Sequence, residues 1–106
     1  MIELPERSLL LTRMEVAQAE TQRHLGIIER QIAVRAERLT ITYRAKRRHH
    51  GRGASSWTSV DERLFQEHVA KLTLARRGEI DAHTRMIDRQ EKAIAECRTR
   101  HRVSAA

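Results

Sequence analysis

A seven-residue repeat of mainly apolar side chains runs through both halves of the chain and limits the folds open to it. Such spacing is typical of long helices that pair through a narrow apolar seam. In the first half the apolar members of the repeat are Leu11, Met14, Leu25, Ile28, Ile32 and Leu39. In the second half they are Phe65, Leu72, Ile80, Ile87 and Ile94.

Helix boundaries follow from a few residues near the ends of these repeats. Pro5 is the single proline, and proline is tolerated in the first turn of a helix. We therefore predict one helix over about residues 5–47. Ser59 and Glu62 have the spacing of a capping box, so we predict a second helix over about residues 60–100. A tip loop over residues 48–58 and a frayed tail over residues 101–106 complete the prediction.

The segment between the predicted helices contains glycine and serine, which favour a turn. The sequence therefore predicts an all-α fold in which two long helices form an antiparallel coiled-coil hairpin, with residues 1–106 as a single domain. A bend near residue 52 would place Leu39 opposite Phe65, Ile32 opposite Leu72, and Leu11 opposite Ala93 or Ile94. Gly26 and Gly78 would then lie at one level, which indicates a close approach, a shared flexible point or a coincidence.

Polar residues interrupt the predicted seam at Thr21, Arg35, Arg76 and Gln90. A polar group in a seam costs stability and selects one alignment of the helices, whereas a long arginine stem can pack while its head reaches water. We expect the isolated chain to be marginally stable and to gain helicity on dimerisation or with a partner.

Charge, hydropathy and cysteine content indicate the kind of partner and the compartment. The net charge is +7, which favours acidic partners. No apolar run is long enough for a membrane span, and the N-terminal sequence lacks the features of a secretory signal. Cys97 is the single cysteine, which fits a reducing compartment. We expect a cytoplasmic protein without membrane insertion.

The tip of the predicted hairpin is the candidate partner-binding site. No acidic residue lies between Glu37 and Asp61 to offset its positive charge. The alternative is that these basic residues offset the helix dipole and keep a loop solvated. Trp57 is the single tryptophan and is either an exposed interface anchor or a hydrophobic staple at the start of the second helix. The candidate residues are Arg44, Lys46, Arg47, Arg48, Arg52 and Trp57.

Catalytic and metal-binding motifs are absent from the sequence. No nucleophile is paired with a base, and no phosphate-binding glycine loop or zinc-protease motif occurs. His49 and His50 are adjacent but lack further ligands at a fixed short spacing. Cys97 and His101 lie four residues apart without a third orienting group. We expect a protein that is not an enzyme and that binds no cofactor or metal.

Several stretches resemble the stalk proteins of bacterial export machines, namely the flagellar FliJ family and its type III secretion counterparts, the YscO family. These stretches are LLLTRMEVAQAE at residues 9–20, Tyr43-Arg44, DERLF at residues 61–65 and KLTLARRGEIDAHTRMIDRQEKAIAE at residues 71–96. The resemblance implies a rod in the central pore of a hexameric export ATPase that links the ATPase to the export gate. It also implies that basic tip residues meet acidic loops of a partner.

A second class of function is also compatible with the sequence. Two basic hairpins could dimerise and present rows of arginine to RNA or DNA, or act as a small regulatory protein that binds a larger machine. The shortage of aromatic residues, 3% of the chain, argues against recognition of single strands by stacking.

Overall fold

The computed structural model describes residues 3–47 and 56–105, which form three α-helices. Helix α1 spans Glu3–Arg47, α2 spans Ser59–Ala75 and α3 spans Arg77–Ala105. No strand occurs within these two ranges, so the predicted all-α class is confirmed. The chain divides into two compact units: one combines Met1–Gly26 with Glu79–Ala106, and the other is Ile27–Gly78. We call them the terminal unit and the central unit.

Helix α1 is described as far as Arg47, and the residues that follow lie outside the described ranges. Its last turn carries Arg44, Lys46 and Arg47, whose positive charges are favourable at the negative end of the helix dipole. Most of the predicted tip loop, residues 48–55, lies outside the described residues, and Ser56, Trp57 and Thr58 are not helical.

Helix α2 begins one residue earlier than its predicted cap implies. Thr58 is the N-cap, and its hydroxyl accepts a hydrogen bond from the Asp61 amide at 3.2 Å. The Asp61 carboxylate accepts the Thr58 amide at 2.9 Å, which completes a capping box. The predicted pair of Ser59 and Glu62 was therefore wrong by one residue. The observed frame turns Asp61 inward toward Arg44 and leaves Glu62 exposed beside Trp57.

The predicted second helix is divided at Arg76, so the prediction of one helix over residues 60–100 was wrong there. Arg76 has φ −107° and ψ 17°, outside the helical range. Its amide donates to the carbonyls of both Leu72 and Thr73 at 3.2 Å. Gly78 follows two residues later and lowers helix propensity at this point. Helix α3 continues to Ala105, and that the tail over residues 101–106 is frayed stays a prediction.

The buried face of α1 in the central unit advances by four residues at each step, through Ile28, Ile32, Ala36 and Thr40. A strict heptad would instead bury Arg35 and Thr42, but both are exposed. An α-helix has about 3.6 residues per turn, so a face that follows the helix drifts away from a repeat of 3.5. The Thr40 hydroxyl donates to the Ala36 carbonyl at 2.8 Å, so its polar group is satisfied within the helix.

The terminal unit packs α1 against α3 around Ile94 and Cys97, which are both buried. Glu15 accepts a hydrogen bond from Arg98, and Thr21 accepts one from Gln90 at 3.1 Å. The predicted register places Leu11 opposite Ala93 or Ile94, yet Glu15, four residues beyond Leu11, already pairs with Arg98. That predicted pairing was wrong because it assumed one uninterrupted second helix with a constant offset.

Gly26 and Gly78 do not mark a close approach. A Cβ atom built on either residue meets nothing within 4 Å. The boundaries of the two units fall directly after these glycines. That they form a flexible point stays a prediction.

The eleven predicted seam residues are all buried or half-buried. Ile28, Ile32 and Ile94 are buried. The half-buried members are Leu11, Met14, Leu25, Leu39, Phe65, Leu72, Ile80 and Ile87.

Candidate protein-contact surface

The candidate site lies at the end of the central unit where α1 finishes and α2 begins. Arg44, Lys46 and Arg47 occupy the last turn of α1, and Trp57 directly precedes the α2 N-cap. Arg48 and Arg52 lie outside the described residues. The structure therefore describes four of the six predicted contact residues, and these four differ in their surroundings.

Arg44 is turned toward its own chain. Its guanidinium donates to the Ser56 carbonyl at 2.7 Å and lies 3.5 Å from the Asp61 carboxylate. The side chains of Arg44 and Asp61 are only 16% and 8% exposed, so this ion pair is largely withdrawn from water. Arg44 thus joins the end of α1 to the start of α2.

Arg47 and Lys46 lie on the outside of the same turn. The Arg47 guanidinium lies over the Tyr43 ring, 5.7 Å from its centre, in a cation–π arrangement. Tyr43 is itself exposed. This turn therefore presents a positive charge stacked on an aromatic ring to the solvent.

Trp57 is held in place on one side and exposed on the other. Its indole N–H donates to Glu62 Oε1 at 3.1 Å, and its ring meets Phe65 edge to face with centres 6.3 Å apart. These contacts are those of a staple at the helix start, although the partners are Glu62 and Phe65. The side chain nonetheless remains 41% exposed. These contacts therefore fit the staple that the sequence left open, and the role of Trp57 as an interface anchor stays a prediction.

Glu62 completes a depression of about 370 Å³ whose other walls are Glu37, Trp57 and Phe65. Gln66 donates a second hydrogen bond to the Glu62 carboxylate at 2.7 Å. The hydrogen bonds from Gln66 and Trp57 lower the pKa of Glu62 below its ordinary value of 4.5. The depression therefore keeps a negative charge beside two aromatic rings, next to the basic last turn of α1.

Three of the four polar residues of the predicted seam, all except the exposed Arg35, hydrogen-bond across the unit in which they lie. In the central unit Arg76 donates to Gln31 Oε1 at 2.8 Å. In the terminal unit Gln90 donates to Thr21, and His24 meets His83 edge to face with ring centres 6.2 Å apart. These pairs join one helix to another, as expected of groups that select an alignment.

Two further observations concern the potential metal ligands and the single cysteine. Within residues 3–47 and 56–105 no group of three or more potential metal ligands occurs. His49 and His50 lie outside these ranges. Cys97 is buried in the terminal unit and has no disulfide partner among the described residues.

A second surface was not identified from the sequence. Val34 and Ile41, on α1 of the central unit, are 47% and 48% exposed, and Ile27 precedes them by the same seven-residue spacing. The signal was present in the sequence as a third heptad register. It was missed because the predicted seam uses only two of the seven heptad positions.

No family model, curated protein or solved structure matches this chain. In the part of the chain that the structure describes, no helix combines the length and the apolar character needed to cross a membrane.

Proposed function

We propose that this protein is a non-enzymatic coiled-coil adaptor in which the two halves of the chain pair as antiparallel helices. The observation that carries the proposal is the order of the contacts within each unit. In the central unit Gln31 contacts Arg76 and Arg44 contacts Asp61, so higher numbers on α1 meet lower numbers in the segment from Asp61 to Arg76. In the terminal unit Glu15 contacts Arg98 and Thr21 contacts Gln90, in the same sense.

The adaptor is of the export-stalk type and acts in the cytoplasm of a bacterial cell. It contacts the hexameric ATPase and the export gate of a type III, flagellar-type, apparatus. Support comes from the stretches that resemble the FliJ and YscO families and from the surface at the α1–α2 end. There Tyr43, Trp57 and Val60 are exposed beside basic residues, and aromatic side chains are enriched in protein interfaces.

Copurification with the export ATPase and gate components of the same cell tests this role. We expect the wild-type chain to retain the ATPase and Trp57→Ala to lose at least about tenfold in affinity, since exposed tryptophans are frequent hot spots. Leu74→Ala is the matched control, because Leu74 is an exposed residue of the same unit that lies away from this surface. Failure of the wild-type chain to retain either component would contradict the proposal.

Nucleic-acid binding as a basic dimer is the second candidate, and one observation favours it. Arg30, Arg35 and Arg38 lie close together on α1 and have no ion pair or hydrogen bond within the described ranges. At about 150 mM salt we expect only weak binding to duplex DNA or structured RNA, fading as salt rises. Tight and salt-resistant binding to one sequence would favour this candidate over the adaptor.

A further inference from the structure

The outer face of α1 in the central unit carries a short apolar stripe, formed by Ile27, Val34 and Ile41. At about 100° per residue, the stripe is centred roughly 180° around the helix from the buried face of Ile28, Ile32, Ala36 and Thr40. Val34 and Ile41 are accordingly exposed, whereas Ile27 is half-buried. With a rise of about 1.5 Å per residue, the stripe is about 21 Å long.

Beside Ile27 and Val34 of the stripe lies a shallow depression of about 440 Å³ with a basic rim. Ile27 and Val34 supply its apolar surface, and Arg30, Arg35 and Arg38 supply the rim. The remaining lining residue, Gln31, accepts a hydrogen bond from Arg76 and so is fixed in orientation. None of the lining residues is acidic, and the three guanidinium groups have no ionic partner among the described residues.

We propose that this face docks an amphipathic helix of a partner protein whose apolar stripe is flanked by carboxylates. Anchors that recur every seven residues match the spacing of a helix laid along the groove. The rim charges select glutamate or aspartate at the flanking positions of that helix. A second copy of this chain is a poor occupant, because it would set one arginine-rimmed face against another in a protein of net charge +7.

This inference rests on the adaptor role in one respect, namely that the chain works by binding protein. The probe is a labelled three-heptad helical peptide with Leu at positions a and d and Glu at positions e and g. Its counterpart carries Lys at e and g. We expect fluorescence anisotropy to show at least tenfold tighter binding of the Glu peptide, with a preference that weakens as salt rises.

Two variants and one control locate the binding site. Val34→Ser should weaken binding of the Glu peptide about tenfold, since it removes the central anchor. Val16→Ser is the control, because Val16 is an exposed valine of α1 in the terminal unit. The triple variant Arg30→Glu, Arg35→Glu, Arg38→Glu should reverse the preference in favour of the Lys peptide. The helicity of each variant is checked by circular dichroism, and the triple variant serves as an independent test of the face if Val34→Ser is poorly folded.

Four results would overturn the proposal. The first is equal affinity for the two peptides, and the second is an equal loss on Val16→Ser. The third is sedimentation showing a dimer that Val34→Ser dissociates, which would make a second copy the occupant. The fourth is displacement of the bound Glu peptide by duplex DNA at about 150 mM salt, which would make the face a phosphate-binding surface. Because no export component enters these experiments, their failure is distinguishable from failure to retain the ATPase.

Discussion

At the residue scale, the Asp61 carboxylate joins the two helices of the central unit. Its Oδ2 atom accepts the Thr58 amide at 2.9 Å and lies 3.5 Å from Arg44 Nε. The same residue therefore caps α2 and pairs with Arg44 in the last turn of α1. A carboxylate this deeply withdrawn from water is stable only while both kinds of partner are present.

Removing the Arg44 guanidinium should lower the free energy of unfolding more than removing another basic side chain from the same turn. We expect Arg44→Ala to lower the free energy of unfolding by about 1–3 kcal/mol, because it leaves a buried carboxylate short of a partner. Arg47→Ala removes an exposed cation from the same turn and should change stability by less than about 0.5 kcal/mol. Urea denaturation followed by circular dichroism measures both values, and equal losses would show that the Arg44–Asp61 pair has no special weight.

Protonation of Glu62 should change the fluorescence of Trp57, because the two side chains share a hydrogen bond. Its lowered pKa means that the folded chain favours the carboxylate, so this contribution is present above pH 4.5 and is lost as pH falls through the lower, folded value. We expect the fluorescence of the single tryptophan to change below pH 4.5 as the carboxylate is protonated and its hydrogen bonds from Trp57 and Gln66 weaken.

Two variants test the assignment of this titration. In Glu62→Gln the fluorescence change should disappear. Glu67→Gln removes another exposed carboxylate of α2 and should leave the change in place. If the change persists in Glu62→Gln, a different group is responsible.

At the element scale, the start of α2 and the break at Arg76 decide how the second half of the chain is divided. The N-cap satisfies amides that would otherwise lack partners, and the break comes where the Arg76 amide is shared between two carbonyls. Helix α2 is therefore a separate element of 17 residues, fixed at its first turn by side chains.

Comparison of Thr58→Ala with Ser59→Ala distinguishes the observed cap from the predicted one. We expect Thr58→Ala to lower the free energy of unfolding by about 1 kcal/mol and Ser59→Ala to lower it by less than about 0.5 kcal/mol. Thermal unfolding of the two variants gives the comparison. A larger loss of stability for Ser59→Ala would show that Ser59, the residue that the sequence pattern favours, is the N-cap.

The helical class could be predicted from the sequence, because an apolar repeat sustained through both halves of the chain leaves few alternatives. The cap was missed because Thr58 and Ser59 are both good capping residues, and only the inward position of Asp61 distinguishes them. The burial of Ala36 and Thr40 was missed because neither residue stands out in an apolar repeat. The inward orientation of Arg44 depends on Ser56 and Asp61, which are distant in sequence.

At the scale of the whole molecule, each boundary between the two units falls directly after a glycine. Gly26 and Gly78 both have room for a Cβ atom and both lie within helices. Their cost in helix propensity is thus not offset by a close packing contact. Both glycines therefore lower helix propensity next to a unit boundary.

The double variant Gly26→Ala, Gly78→Ala should therefore stabilise the chain. Each substitution is expected to contribute about 0.5–1 kcal/mol, since alanine is the better helix former and meets no obstacle. A thermal melt should show a higher midpoint for the double variant than for either single variant. A lower midpoint would mean that one of the glycines is required by the fold.

Ala36 is fully buried, with no exposed surface, although it has the smallest side chain on the buried face of α1. The distance between packed helices depends on the side chains at their contact, and a tight core has no space for added methylenes. Enlarging this methyl group would therefore disturb the central unit more than trimming a bulky neighbour such as Leu39, which is only half-buried. Tolerance to substitution along α1 should accordingly be lowest where the side chain is smallest.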